Sequence, residues 1–225
     1  MRLALWEVDA QADFMLPGGT LYVPGAEKII PNLNRLVEQA RQGRVVLISS
    51  ADAHEAHDPE FQQWPPHCVR GTPGAALIPE GRAAELLVIP NQRDFVFPGN
   101  LAAYQQILLE KNTLDVFDNP NTDKLLTQLT SSKEFNTAGS LDVLVFGVVT
   151  EYCVLRAADG LLRRGHRVSI VEDAIESLDN EKGREILDDL QSHGAQLVST
   201  EQALARIADD ARRTTEEKVQ KAAGN

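Results

Sequence analysis

The chain has 225 residues, 43% hydrophobic and 24% charged, with a formal net charge of -11. This is ordinary globular composition, enough for one α/β domain with a sizeable core, and it excludes a disordered chain. The acidic balance argues against a nucleic-acid partner, because a phosphate backbone would be repelled.

No apolar run approaches the roughly 18 to 20 residues that a membrane span needs. Glu7 brings an acid too early for a secretory leader. Two cysteines, Cys68 and Cys153, are too few for a disulfide framework. A cytoplasmic location is therefore expected, where a thiol can be kept for chemistry.

Residues 3–8 read as a strand. Residues 26–42 read as a helix, since Ile29, Ile30, Leu33, Leu36 and Val37 recur at helical spacing and Gly43 stops it. Residues 45–50 form a strand. The stretch 51–74 is rich in His, Pro and Asp and keeps no period, and a long irregular stretch inside a compact domain is usually functional. Residues 85–89 read as a short strand, 90–99 as loop, 106–110 as a strand and 122–129 as a short helix. The continuous apolar run 141–148 is expected of a strand buried on both faces. A helix over 154–164 ends at Gly165. Then come a strand over 167–171, a helix over 180–192, a strand over 196–198 and a last helix from Thr200. The polar tail from about Thr214 is expected to fray.

Strands alternating with helices predict a three-layer α/β/α fold, with a mostly parallel sheet and right-handed crossovers. Such folds bind ligands at the carboxyl ends of their strands. No repeat or linker divides the chain, so residues 1–225 read as one domain.

Three residues follow three strands. Asp9 follows the first, Lys111 the strand 106–110, and Cys153 the strand 141–148. All three can meet at one rim of the sheet. A thiol in the first turn of a helix feels the positive end of the helix dipole. Free backbone N–H groups there could hold an oxyanion. An adjacent carboxylate can take the thiol proton and an ammonium can stabilise the thiolate. Taken singly, Cys153 reads as packing, Asp9 as a turn former and Lys111 as surface. Lys111 is, however, the only lysine between Lys28 and Lys124.

Val8-Asp9-Ala10-Gln11-Ala12-Asp13-Phe14, Lys111 with Asp115-Val116-Phe117 behind it, and Gly147-Val148-Val149-Thr150-Glu151-Tyr152-Cys153-Val154 resemble three signature blocks. They are those of the isochorismatase-like cysteine hydrolases, the superfamily that includes nicotinamidases and pyrazinamidases. The resemblance implies that Asp9 is general base and acid, that Lys111 supports the thiolate and that Cys153 attacks. It also implies a cis peptide at Val148–Val149, aiming the Val149 N–H, with that of Cys153, into an oxyanion hole.

Asp52, His54, His57 and His67 lie in the irregular stretch. An Asp and several His on one loop can give mixed N/O coordination to Zn, Mn or Fe, against which stands a reading as surface polar residues or local caps. The run from Trp64 to Ala75 resembles the metal-site block of nicotinamidases. By that resemblance Asp52, His54 and His67 hold one divalent ion, zinc first and Mn or Fe after it, near the substrate's ring nitrogen. His57 is the further His ligand, although it follows His54 sooner than the family pattern has it. By the same matching Phe14 and Trp64 sandwich a flat ring; plain core packing is the competing reading. Cys68 reads as packed, and His166 and His193 as surface or capping residues.

Two features depart from the family pattern. Glu7 places a carboxylate in a buried strand, where it needs a partner or a raised pKa. The stretch 90–105 is long, and reads as an insertion serving either as a lid or as a contact in a homo-oligomer.

The expected function is hydrolysis of nicotinamide, or a similar heteroaromatic carboxamide, to the acid and ammonia through a Cys153 thioester. The alternatives are a cysteine hydrolase of another small amide or ureido compound, and a non-catalytic metal-binding or interaction protein on the same fold. The expected partner is a small carboxamide, with no nucleic acid and no membrane.

Overall fold

The computed structural model describes residues 2–131 and 139–223. Its seven strands are β1 (Arg2–Val8), β2 (Val46–Asp52), β3 (Leu86–Ile89), β4 (Gln106–Lys111), β5 (Leu141–Val148), β6 (Arg167–Glu176) and β7 (Gln196–Val198). They form one sheet in the order β3-β4-β2-β1-β5-β6-β7, and every neighbouring pair is parallel. Parallel neighbours need crossovers. A short α1 (Ala12–Met15) and then α2 (Ala26–Arg41) join β1 to β2. α3 (Thr122–Ser131) precedes β5, α4 (Leu155–Arg163) joins β5 to β6, α5 (Asn180–Ser192) joins β6 to β7, and α6 (Thr200–Ala223) follows β7.

The strands alternate their side chains between two cores. Along β1, Leu3 and Leu5 join the cluster under α1, α2 and α6, while Ala4, Trp6 and Val8 join the one under α3, α4 and α5. Trp6, Leu33 and Phe146 are wholly buried, and each such side chain contributes roughly 1.5 to 3 kcal/mol relative to exposure. β1 lies at the centre. The chain first builds the sheet on one side of it, through β2, β3 and β4, and then crosses to the other side with β5. That reversal opens a crevice beyond the carboxyl ends of β1 and β5, where ligands bind in doubly wound folds. At this point the two strands approach closely: Gly147 has φ +116°, and a Cβ there would lie 2.1 Å from the Val8 carbonyl oxygen.

By period two Glu7 belongs with Leu3 and Leu5, and it is wholly buried. Its Oε2 accepts from Ser49 Oγ at 2.9 Å and from Gln106 Nε2 at 3.2 Å. Oε1 has no hydrogen-bond partner among the described residues. Burial raises its pKa to about 8, against the opposing influence of the Ser49 hydrogen bond and the Arg41 charge. Glu7 is therefore mostly a neutral acid at pH 7. It cross-links β1, β2 and β4 from within.

β6 runs to Glu176, five residues past its expected end. Its ladder with β5 shifts register between Val145 and Gly147 and then resumes, and the exposed pair Glu172–Asp173 in the middle looks like loop in sequence. α6 continues to Ala223, where a frayed tail was expected; Ala, Glu and Lys are good helix formers there. The stretch 90–105 packs Phe95 and Phe97 against the core at a ring separation of 5.2 Å. Asn121 Nδ2 donates to the carbonyls of Pro90 and Gln92. His166 is buried rather than on the surface, and its Nδ1 accepts from the Leu141 N–H at 3.1 Å, which caps the start of β5. No described helix is long and apolar enough to cross a membrane.

Candidate active site

Four adjacent strands, β4, β2, β1 and β5, carry Lys111, Asp52, Asp9 and Cys153 at or just beyond their carboxyl ends. Lys111 and Asp52 are register partners across β4 and β2. Asp9 leaves β1 at φ +49°. Cys153 lies in one turn of π-helix, Thr150–Val154, that leads into α4. The Val148–Val149 peptide ahead of that turn is cis.

The side chains converge and are all buried. Lys111 Nζ lies 2.9 Å from Asp9 Oδ2 and 3.5 Å from Cys153 Sγ, and it also donates to Asp52 Oδ1. Ser50 Oγ donates to Asp9 Oδ1 at 2.7 Å. Burial alone would push the Lys111 pKa down, but Asp52 and Asp9 outweigh it and raise the pKa, so the group is an ammonium. Burial also opposes ionisation of Asp52. There the Lys111 charge, with the His54 and His67 rings close by, wins, and the carboxyl stays ionised far below its usual range.

Asp9 and Cys153 behave differently. Burial raises Asp9; the Lys111 charge opposes the rise and the Asp52 charge adds to it. Burial raises the Cys153 thiol too, Lys111 pulls it down, and the charges of Asp9 and Asp52 and a hydrogen bond with Asp9 push it up. The resting thiol is protonated. Passing its proton to Asp9 moves one negative charge within the buried site without changing the site's net charge. Much of the desolvation that raises both pKa values therefore cancels in that transfer.

Beside this trio, one donor atom each from Asp52, His54 and His67 lies within 4.8 Å of the others. His54 Nε2 and His67 Nε2 are 3.7 and 3.5 Å from Asp52 Oδ2. The outer ring nitrogens are held in turn. His67 Nδ1 donates to the Pro65 carbonyl at 2.8 Å, which leaves Nε2 with a free lone pair. His54 Nδ1 lies 3.1 Å from Asp58 Oδ2. Neither ring nitrogen of His54, although buried, makes a well-directed hydrogen bond among the described residues. Two imidazoles facing one carboxylate, each steadied from behind, fit a small divalent cation.

His57 is not part of this cluster. The backbone turns at once, with Asp58 N–H donating to Glu55 O at 3.1 Å, and His57 is exposed while Asp58 faces His54. The carboxylate that sequence reading missed is Glu60. It lines the cavity with Asp52 and His67, and burial, with the Asp52 charge second, raises its pKa. Its only sequence signal was its place in the same irregular loop.

Phe14, Trp64 and Val149 all line that cavity, with Leu21, Val23, Leu114, Tyr152 and Leu178. Phe14 packs on His67 with ring centres 5.4 Å apart, and Trp64 meets Tyr152 edge-on at 5.5 Å. The cavity is narrow, with a volume of about 40 Å³. No residue of 90–105 lines it, so that stretch does not cover the site.

Further supports had no role assigned from sequence. Gln11 is wholly buried and grips the Asp52 backbone, its Oε1 accepting from Asp52 N–H at 2.7 Å and its Nε2 donating to Asp52 O at 2.8 Å. Asp13 accepts from the Cys68 and Thr20 amides at 2.8 and 3.0 Å, tying the His67 loop to the segment after α1. Cys68 is buried, and burial raises its pKa far above the ordinary thiol range, so it is inert packing.

A carboxylate and an ammonium against a buried thiol, beside backbone N–H groups at a helix start, is an arrangement in which sulfur can be activated as a nucleophile. The chain belongs to the isochorismatase family: the model of the Isochorismatase domain matches residues 4–92 and 81–202. It is 25% identical over 190 residues to a nicotinamidase of Escherichia coli (strain K12), covering 76% of this chain and 81% of that protein. It is 26% identical over 202 residues to a nicotinamidase/pyrazinamidase of Mycobacterium tuberculosis, covering 87% and 97%. The crystal structure of a pyrazinamidase of Pyrococcus horikoshii in complex with zinc superposes with a TM-score of 0.68 at 26% identity, over 88% of this chain and 99% of that one.

Proposed function

We propose that this protein hydrolyses nicotinamide, or a similar heteroaromatic carboxamide, to the acid and ammonia through a thioester on Cys153. What supports this most is that Lys111 Nζ stands 2.9 Å from Asp9 and 3.5 Å from Cys153 beside the Asp52–His54–His67 donor set. The named relatives are nicotinamidases, which adds weight.

Asp9 takes the Cys153 proton, and Lys111 holds the negative charge on either partner. The thiolate adds to the amide carbonyl, forming the C–S bond, and the oxyanion rests on the Val149 and Cys153 N–H groups. Asp9 returns the proton to the amide nitrogen as the C–N bond breaks and ammonia leaves. Asp9 then deprotonates a water that attacks the thioester. The C–S bond breaks, and the proton returns to Cys153 as the acid product departs. Preorganised acid–base partners of this kind contribute about 10² to 10⁴ in rate.

Asp52, His54 and His67 would hold a divalent ion, zinc by donor chemistry, with Glu60 at the same wall. When bound, that ion supplies a fixed electrophilic point for the substrate's ring nitrogen. Phe14 and Trp64 supply aromatic walls for the ring.

Ammonia release from nicotinamide and pyrazinamide tests the reading. The zinc-loaded protein turns both over. A metal-bearing protein inert on both overturns it.

A further inference from the structure

Among the residues lining the cavity, Leu178 alone is exposed, at 46%. It lies between β6 and α5, in a segment fastened to the turn that carries Cys153. The Glu151 carboxylate, two residues before the thiol, accepts from the Asp179 N–H at 2.7 Å and from the Leu178 N–H at 3.3 Å. Thr150 Oγ1 donates to the Glu176 carbonyl at 2.9 Å. On the far side Asp179 Oδ1 caps α5, accepting from the amides of Glu181 and Lys182 at 2.9 and 3.2 Å. Gly183 of α5 sits so close that a Cβ there would lie 2.2 Å from Ser177 Oγ.

The backbone around Leu178 is thus held from two sides, while its side chain faces solvent on one side and the cavity on the other. In a cavity of about 40 Å³ a flat ring lies close against every wall. The wall freest to yield is a half-exposed aliphatic side chain, whose rotamers exchange on the picosecond to nanosecond scale.

Resting on the amidase reading, we propose that Leu178 is the specificity-determining gate of this site, and that Glu151 is a positioning residue fixing the gate relative to Cys153. The leucine turns aside to admit the ring and packs back on its edge. It therefore sets how much substitution that edge tolerates. One methylene in an apolar pocket is worth about 10- to 200-fold in discrimination.

Two measurements on the full-length, zinc-loaded protein test this. The first is kcat/KM for nicotinamide and for a series of ring-methylated nicotinamides. Leu178→Ala raises the value for at least one methylated ring, relative to nicotinamide, by about tenfold, and Leu178→Trp lowers it. Glu151→Ala moves the ratio towards that of Leu178→Ala and raises KM more than it lowers kcat. Glu151→Gln, which keeps an acceptor oxygen, restores most of the selectivity. The second is alkylation of Cys153 by iodoacetamide and by a bulkier maleimide, with buried Cys68 as the internal control. Leu178→Ala speeds the bulky reagent at Cys153 alone. An active wild type whose 178 variants keep both the selectivity ratio and the alkylation rate unchanged overturns the gate and leaves the amidase reading standing. A wild type inert on every carboxamide overturns the amidase reading; Cys153 alkylation that then ignores residue 178 overturns the gate as well.

Discussion

Glu7 and Asp9 are two buried carboxyl groups on the same side of the same stretch of chain, two residues apart, and the protein treats them oppositely. Glu7 lies within the sheet, where Ser49 and Gln106 offer neutral donors and no ammonium touches it. Asp9 lies at the rim, where Lys111 stands 2.9 Å away and a thiol shares its surroundings. Burial raises the pKa of both, but only Asp9 has a cation in contact to stabilise its charged form. A buried acid without a cation serves the architecture, whereas one beside a cation has a partner for its charged form when a proton is exchanged. The working part of the molecule is thus marked by the company its polar groups keep.

The largest effect is expected at the rim. Asp9→Asn retains the shape and removes the proton acceptor; ammonia release falls by about 10³-fold or more while the fold, followed by circular dichroism, persists. If Glu7→Gln did the same, the contrast between the two acids would collapse.

Glu7→Gln acts instead on stability. The folded pKa is raised from the ordinary 4.5 to about 8, so Glu7's contribution is fully present below pH 4.5 and is lost as pH rises towards 8. The amide cannot ionise. Thermal melts across that window therefore show the variant gaining on the wild type with pH, by on the order of 3 to 5 kcal/mol at its upper end.

Asp58→Ala removes the carboxylate behind His54 and weakens zinc binding, measured by competition with a chelator, by about 10- to 100-fold. Gly81→Ala sharpens the comparison from the architectural side. Its Cβ would meet Glu7 Oε1 at 2.8 Å and Ala10 Cβ at 3.0 Å, and the crowding costs about 1 to 3 kcal/mol in denaturant melts. The smallest effect is at His57. His57→Ala leaves zinc affinity and turnover unchanged, and a loss of either would return that residue to the metal site.

Most of this fold is legible in the sequence because a parallel sheet writes itself as apolar runs between amphipathic helices. Residues 141–148 form a strand from end to end, as that run predicts. The parts that escape depend on tertiary contacts. β6 hides its last residues behind Glu172 and Asp173, whose exposure cannot be read from their identity. The π turn at Thr150–Val154 has no periodic signature in five residues. In the candidate metal cluster, Asp52, His54 and His67 lie together as the resemblance implies. His57 failed because nearness in sequence does not fix direction: one turn aims it outward and brings Asp58 inward instead. Gln11, Asp13 and Ser50 were visible as polar residues near Asp9 or Asp52, but the partners of the first two are backbone groups far along the chain, and that of Ser50 is the Asp9 carboxylate on the neighbouring strand's end.

Along the order β4-β2-β1-β5, Lys111 and Asp52 end their strands, Asp9 directly follows its own, and Cys153 sits in the turn just beyond the last. Parallel strands stand about 4.8 Å apart because the peptide hydrogen bond dictates it. The sheet is therefore a ruler for the chemistry, its graduations set by backbone geometry common to all proteins. Loops above it can lengthen or change their side chains to suit another guest, and the reacting groups keep their spacing.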